Sequence, residues 1–220
     1  MSKTLPLIAI ALLLAACGPS AEELVEQRRS DAEPKLKQVE EVGRKAVTYT
    51  GDAADISLPD GVKLDFHETG NAALVQVEQF AEGDARKPKL DLILDEHWLG
   101  NSRRLLSEGP GEMAPEAVTG AFDRLLAIKY IAFVRTGLYA DPAVTGGDSF
   151  SPGFWQGDVM VFELESGACL GRVELSAKNS DTVNVDVSKA ETWLHSDLWS
   201  RARDALKEAL KAHTEGDVLK

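Results

Sequence analysis

The chain opens with one cation, Lys3, followed by an apolar run over residues 5–16. Twelve residues of helix span about 18 Å, well short of the ~30 Å hydrocarbon core of a bilayer. The run therefore has the charged and apolar regions of a cleaved secretory signal rather than those of a permanent membrane span.

Residues 21–47 have a helical pattern. After Pro34, apolar residues recur at spacings of three and four, at Leu36, Val39, Val42 and Ala46. The part before Pro34 has few apolar residues and is predicted to be solvated. Because proline is tolerated in the first turn of a helix but not in its interior, the pattern predicts two helices divided at Pro34.

Within residues 48–100, short runs alternate between apolar and polar positions with a period of two, which is typical of strands. Three strands are predicted, at residues 62–66, 73–80 and 90–94. Turn-forming residues at 59–61 and 68–71 separate the first two, and residues 82–88 form a polar connection.

A wide apolar stripe predicts an amphipathic helix from Pro115 to residue 127, because proline fits the first turn of a helix. A strand at residues 129–136 follows. Residues 137–153 contain several prolines and glycines and are predicted to form a long loop. Such a loop is either a mobile functional element or a disordered surface insertion.

A hairpin is predicted from two alternating runs, residues 158–164 and 168–177, around the turn Glu165-Ser166-Gly167. On its second strand one face is predicted to carry Cys169, Val173, Leu175 and Ala177. Residues 182–187 are a further strand candidate. Ser188 and Glu191 have the spacing of a capping box that opens a terminal helix, and a restart near residues 196–197 is the alternative.

This order of elements predicts an α+β fold, with helices packed on an antiparallel sheet and a helical segment at the N-terminus. No repeat or linker divides the main part of the chain. The predicted organisation is a cleaved signal at residues 1–16, an anchor, short tether and helical segment at 17–47, and one α+β domain at 48–220.

The end of the apolar run, Leu14-Ala15-Ala16-Cys17, resembles the lipobox of bacterial lipoproteins. The resemblance implies cleavage after Ala16, a diacylglycerol on the Cys17 thiol and acylation of the new amino group. Two or three acyl chains hold a protein stably on a membrane. Gly18 stands where enteric lipoproteins of the inner membrane carry aspartate, which implies the outer membrane, facing the periplasm. The tether, residues 18–22, reaches at most about 18 Å.

Charge and cysteine content narrow the possible partners. The chain has 24 Lys and Arg against 36 Asp and Glu, and loss of residues 1–16 removes Lys3 and leaves a net charge of −13. An acidic surface argues against nucleic acid as a partner and against docking on anionic lipid.

If Cys17 is lipidated, Cys169 has no disulfide partner. The apolar face predicted for Cys169 favours a small buried hydrophobe over a redox thiol.

The sequence contains none of the motifs typical of serine nucleophiles, zinc proteases, dithiol redox sites or phosphate-binding loops. Asp95 and His97 are weak candidates for a metal or acid–base pair, since alternate residues of a strand point to the same side. The alternative is a solvated strand end beside Trp98. No cofactor is predicted.

Aromatic residues provide the candidates for a ligand site. Trp155, Trp193, His195 and Trp199 are the candidates for a groove that binds a small or lipid-like ligand. The favoured interpretation is that the tryptophans supply the core and that His195 is a partly buried packing residue between Trp193 and Trp199.

The order of helix, strand, hairpin and helix after residue 115 resembles small α+β domains of periplasmic assembly factors, which carry a phrase similar to residues 161–167. The resemblance implies a non-catalytic envelope lipoprotein that acts through a protein partner. Binding of a small or lipid-like ligand in the aromatic groove is the alternative.

Overall fold

A computed structural model of the chain describes residues 18–82, 92, 94, 96–146, 149–183 and 189–216. Its four α-helices are α1 (Ala21–Val47), α2 (His97–Ser107), α3 (Pro115–Ala127) and α4 (Ala190–Leu210). Its strands are β1 (Ala72–Gln76), β2 (Tyr130–Ala140), β3 (Ala143–Gly146), β4 (Ser149–Ser151), β5 (Phe154–Glu163) and β6 (Cys169–Lys178). Short 3₁₀ turns cover Val77–Phe80 and Lys211–His213.

The main sheet has the strand order β1-β2-β5-β6. Strands β2, β5 and β6 pair antiparallel, and β1 pairs parallel with β2. The parallel pair is possible because α2 and α3 lie in the long connection between β1 and β2. The predicted α+β class, with antiparallel strands and an N-terminal helix, is confirmed, and the parallel edge strand makes the sheet mixed.

The two faces of the sheet are covered by different elements. One, here called the three-helix face, packs Val75, Phe133 and Phe162 against α1, α2 and α3. The other, the α4 face, packs Val159 and Trp155 against α4 and the irregular segments that contain Ile56, Leu64, Leu92 and Leu94. The domain is thus a sheet between two layers.

One continuous helix, α1, replaces the two predicted helices. Ser20 and Glu23 form a capping box at its start, with the Ser20 hydroxyl accepting from the Glu23 N–H at 3.2 Å. Pro34 lies inside the helix on its exposed side, where only one backbone hydrogen bond is lost. Both Val25 and Ala32 are buried, so the prediction of a solvated first piece is wrong as well. The start of α1 shortens the tether after residue 17 from five residues to three.

The three strands predicted before residue 100 agree with the structure to different degrees. Residues 62–66 contain only an isolated bridge from Leu64 to Thr214, so this prediction is wrong. The second predicted strand ends at Gln76, where the chain turns into a 3₁₀ helix. The third, residues 90–94, lies mostly outside the described residues, although Leu92 and Leu94 are buried on the α4 face. The helix α2 has no counterpart in the prediction.

The second half of the chain follows the sequence pattern more closely. The helix Pro115–Ala127 is confirmed, and so are the strand after it and the hairpin β5–β6. The prediction of a long loop at residues 137–153 is wrong. Strand β2 continues past a bulge at Gly137 to pair with β5, and β3 and β4 form a small hairpin. The helix α4 is continuous, which excludes a restart near residue 196. Residues 184–188 lie outside the described part, so the strand at 182–187 and the Ser188 capping box stay predictions.

Across the ranges that the structure describes, no helix combines the length and the apolar character needed to span a bilayer.

Candidate functional site

The helices cover only part of the three-helix face. Ile131, Phe133, Met160 and Phe162 are buried beneath them. Toward the far ends of β2, β5 and β6, the same face of the sheet is exposed to solvent. We call this exposed part the open half-face, and its members are Leu138, Phe154, Gln156, Glu174, Ser176 and Lys178. Their neighbours Trp155 and Leu175 point to the α4 face and are buried, so the described residues cover the sheet here on one side only.

Two large apolar side chains lie next to each other on the open half-face. The exposed fraction is 59% for Leu138 and 39% for Phe154. Leu138 pairs with Gln156 and Phe154 pairs with Ala140, which makes Leu138 and Phe154 diagonal neighbours on adjacent strands. Side chains in that relation lie about 7–8 Å apart and can be contacted together. Single exposed apolar residues are ordinary, whereas a pair on an open sheet face suits a binding surface.

A cleft of about 420 Å³ lies beside Leu138. Its walls come from β2, β5 and β6, and they include Leu138, Gln156, Asp158, Arg172, Glu174 and Ser176. The open half-face therefore combines an apolar pair with a mixed-charge polar rim, which is the usual anatomy of a protein interface.

A cluster of three charged residues separates the open half-face from the core. The Asp158 carboxylate accepts from Arg135 Nη2 at 2.6 Å and from Arg172 Nε at 2.9 Å, both at Oδ2. The guanidiniums also donate to the backbone carbonyls of Tyr49 and Gly51, each at 2.7 Å. The cluster thus fastens the segment after α1 to the sheet.

The hydrophobic pattern did not predict this cluster, although the positions of its three charged residues carry a signal. Arg135 and Asp158 are direct cross-strand partners, and Arg172 is diagonal to Asp158 in the predicted hairpin. All three project onto the face that packs the core, where an unpaired charge would be strongly unfavourable. Charged residues at apolar-face positions of neighbouring strands therefore predict an ion cluster.

Cys169 lies apart from the residues predicted to share its face. A bulge at Leu170 inserts one residue between Cys169 and Gly171 and turns Cys169 to the three-helix face, away from Val173. Cys169 is half-buried there, and its thiol donates to the Gly171 carbonyl at 3.4 Å. Interaction with this thiol raises the pKa of the Tyr49 phenol. The shared face predicted for this strand is wrong at this one position.

The four residues predicted to line an aromatic groove do not form one. Trp155 is fully buried, and its indole N–H donates to the Thr136 hydroxyl at 3.0 Å. Trp199 packs against the α4-face core and stacks on the Arg203 guanidinium at 4.5 Å. Trp193 is 48% exposed, and because it lies six residues before Trp199 on α4, the two side chains project about 120° apart around the helix axis.

His195 does not pack between the tryptophans. Its ring is exposed, with Nδ1 3.5 Å from the Tyr139 hydroxyl and 3.7 Å from Asp141 Oδ1. The Tyr139 hydroxyl donates to Asp141 at 2.7 Å, and burial together with this bond raises the pKa of Tyr139. A phenol with a raised pKa stays protonated at neutral pH, so this group does not supply a base.

Of the predicted pair Asp95 and His97, the structure describes only His97. His97 is exposed and opens helix α2 instead of lying on a strand. Asp95 lies outside the described residues, so the pair stays a prediction. Among the residues that are described, no three His, Cys, Asp or Glu side chains form a group suited to a metal ion.

A second polar cluster fastens α4 to the end of β6. Buried Asn179 donates to the Leu194 carbonyl at 2.7 Å and to the Asp197 carboxylate at 2.9 Å. Asp197 also accepts from the N–H and the hydroxyl of Ser180 at 2.7 and 2.8 Å. Burial alone would raise the pKa of Asp197, but these hydrogen bonds and the charge of Arg201 outweigh it and lower the pKa below its ordinary 3.8.

This cluster predicts a defined pH dependence. Because the folded pKa of Asp197 lies below the unfolded one, its stabilisation is complete above about pH 4 and is lost as the pH falls through the folded pKa. Asp197→Asn is therefore expected to lower the free energy of unfolding at pH 7 and to flatten its pH dependence between about pH 5 and pH 2. Urea unfolding across that range measures both. Equal slopes in the two proteins would contradict the assignment.

Comparison with protein-family models, with curated proteins and with solved structures finds no match to this chain.

Proposed function

We propose that the mature protein is a non-catalytic lipoprotein of the cell envelope that binds a protein partner on its open half-face. The lipid on Cys17 holds it at the membrane, in the outer membrane facing the periplasm. The observation that carries the proposal is the exposed pair Leu138 and Phe154 on a part of the sheet face that none of the described helices covers.

The surroundings of this pair favour a protein over a small molecule. The surface spans three adjacent strands, and the polar residues Gln156, Glu174, Ser176 and Lys178 flank the apolar pair on the β6 side. Interfaces between proteins typically place a few well-packed apolar anchors inside a polar rim. The aromatic residues proposed for a ligand groove lie elsewhere and do not converge, so no observation favours the alternative function.

The rigidity of the support also favours recognition. Beneath the pair, Trp155 and Leu175 are buried against α4, and the Asp158 cluster fixes the inner boundary of the surface. A surface held by regular strands loses little conformational entropy when a partner binds. An extended or loop segment of the partner, with an apolar side chain seated on Leu138 and Phe154, suits this geometry.

The test is site-specific photo-crosslinking in intact cells. A photoreactive residue at position 138 is expected to give a discrete adduct with one protein, whereas the same residue at Glu112, an exposed turn position, is not. Phe154→Asp, made with the probe at 138, is expected to reduce the adduct at least tenfold, since loss of a central anchor weakens binding by about that factor.

Two outcomes would count against the proposal. The first is the absence of any adduct from position 138 that differs from those at position 112. The second is an adduct that Phe154→Asp leaves unchanged, because the apolar pair would then have no part in binding. Circular dichroism of the Phe154→Asp protein controls for folding.

A further inference from the structure

The described residues cover the outer edge of β6 over only part of its length. Ala54 exchanges two backbone hydrogen bonds of 2.9 Å with Arg172, and the Ser57 N–H donates to the Leu170 carbonyl at 2.8 Å. Beyond Arg172, the backbone groups of residues 174, 176 and 178 have no partner on the outer side among the described residues. Within the part of the chain that the structure describes, the last five residues of β6 therefore form an open edge.

The register of β6 shows which backbone groups face outward. From Arg172 to Lys178 the pairing with β5 has no irregularity. Because the N–H and C=O groups of alternate residues point to the same side, the outward bonds of Arg172 imply outward groups at Glu174, Ser176 and Lys178. Such a row of unpaired groups is a template for another strand.

We propose that a second copy of this chain pairs antiparallel with this edge, about a two-fold axis at Ser176. The two sheets then join into one sheet of eight strands. In this register Glu174 of each copy lies directly opposite Lys178 of the other, so two oppositely charged cross-strand pairs form. The edge is thus complementary to itself in charge.

The length of the open edge supports this register. At one end Ala54 occupies the edge at Arg172. At the other, Asn179 leaves the sheet to bond Leu194 and Asp197. A shift by two residues in one direction would place Lys178 opposite Arg172. The backbone groups of Arg172 already bond to Ala54, and its side chain has the same charge as Lys178. A shift in the other direction would place Glu174 against a residue beyond the strand.

The symmetry also agrees with a lipid anchor. The two-fold axis of an antiparallel strand pair with coplanar sheets is perpendicular to the sheet, so both three-helix faces lie on the same side of the dimer. Both copies of α1, with the residues that follow Cys17, then lie on that side and can reach one membrane. The two open half-faces also lie side by side. The dimer does not depend on the proposed partner, and the partner does not depend on the dimer.

The experiment uses complementary charge reversals in the full-length protein, purified in detergent micelles. Light scattering and sedimentation velocity are expected to show the unaltered protein as a concentration-dependent dimer. Glu174→Lys and Lys178→Glu, each alone, place like charges opposite each other and are expected to weaken dimerisation at least tenfold. An equimolar mixture of the two variants is expected to associate to within about threefold of the unaltered protein.

The mixture distinguishes the strand-paired dimer from a folding defect. Two misfolded variants would not associate when mixed, whereas two folded variants with complementary charges would. Glu112→Lys makes the same charge change away from the edge and is expected to dimerise normally. A monomer at all concentrations, a mixture that does not associate, or equal weakening by Glu112→Lys would overturn the proposal. A monomer whose position 138 still gives the partner adduct would overturn only the dimer.

Discussion

Replacing Asp158 with alanine is expected to lower the free energy of unfolding by about 3–5 kcal/mol, since two largely buried guanidiniums lose their counter-charge. The side chain of Asp158 is 6% exposed, and one of its oxygens accepts from both Arg135 and Arg172. The segment at Tyr49 and Gly51 depends on the same two arginines, so its attachment to the sheet is expected to loosen as well. Urea or thermal unfolding measures the loss.

Glu174 offers a matched control for this prediction. It is a carboxylate 3.8 Å from the same Arg172, but its side chain is 73% exposed. Ion pairs of that kind contribute about 0–1 kcal/mol, so Glu174→Ala is expected to be nearly neutral when unfolding is measured on the monomer, at protein concentrations too low for pairing of two copies. Equal effects of the two substitutions on the free energy of unfolding would contradict the stabilising role of the Asp158 cluster. A loss of less than about 1 kcal/mol for Asp158→Ala would contradict it as well.

Replacing Trp155 with alanine is expected to lower the free energy of unfolding by about 3–5 kcal/mol, because a large side chain leaves a cavity in the core. Trp155 is fully buried among Val159, Val161 and residues of α4 and is bonded to Thr136. Chemical unfolding followed by circular dichroism avoids relying on tryptophan fluorescence, which the substitution itself changes.

The exposed Trp193 on α4 is the control for Trp155. Trp193→Ala is expected to change stability by no more than about 0.5 kcal/mol, as is usual for surface positions. Similar losses in the two variants would contradict the separation into one core and one surface tryptophan. The comparison decides directly between the core and the groove interpretation of Trp155.

The regions predicted correctly share a physical property: their local pattern and their final environment agree. Helix α3 has a proline at its start and one wide apolar stripe, and the structure buries that stripe. The hairpin β5–β6 joins two alternating runs through a glycine at a positive φ of 62°, Gly167. Where neighbouring residues alone satisfy the backbone, a short window of sequence is enough.

The errors arise where distant residues decide the local structure. Pro34 breaks an isolated helix, but buried contacts on both sides of it, at Val25 and Val39, keep α1 continuous. Glycine and proline in residues 137–153 indicate a loop, yet pairing with β5 extends β2 through a bulge. A single extra residue, Leu170, reverses the side of Cys169. None of these contacts is local in the chain.

The amino-acid sequence by itself determined the α+β class, the helix at Pro115 and the β5–β6 hairpin, and it predicts a lipidated Cys17. Each of these depends on a short-range pattern or on a local motif. Only the tertiary structure decided which charges meet and which surface stays open. Arg135, Asp158 and Arg172 come together through strand pairing, and the open half-face exists because three helices end short of the sheet's far end. Coverage of one element by another is a property of packing, so no local pattern in the chain encodes it.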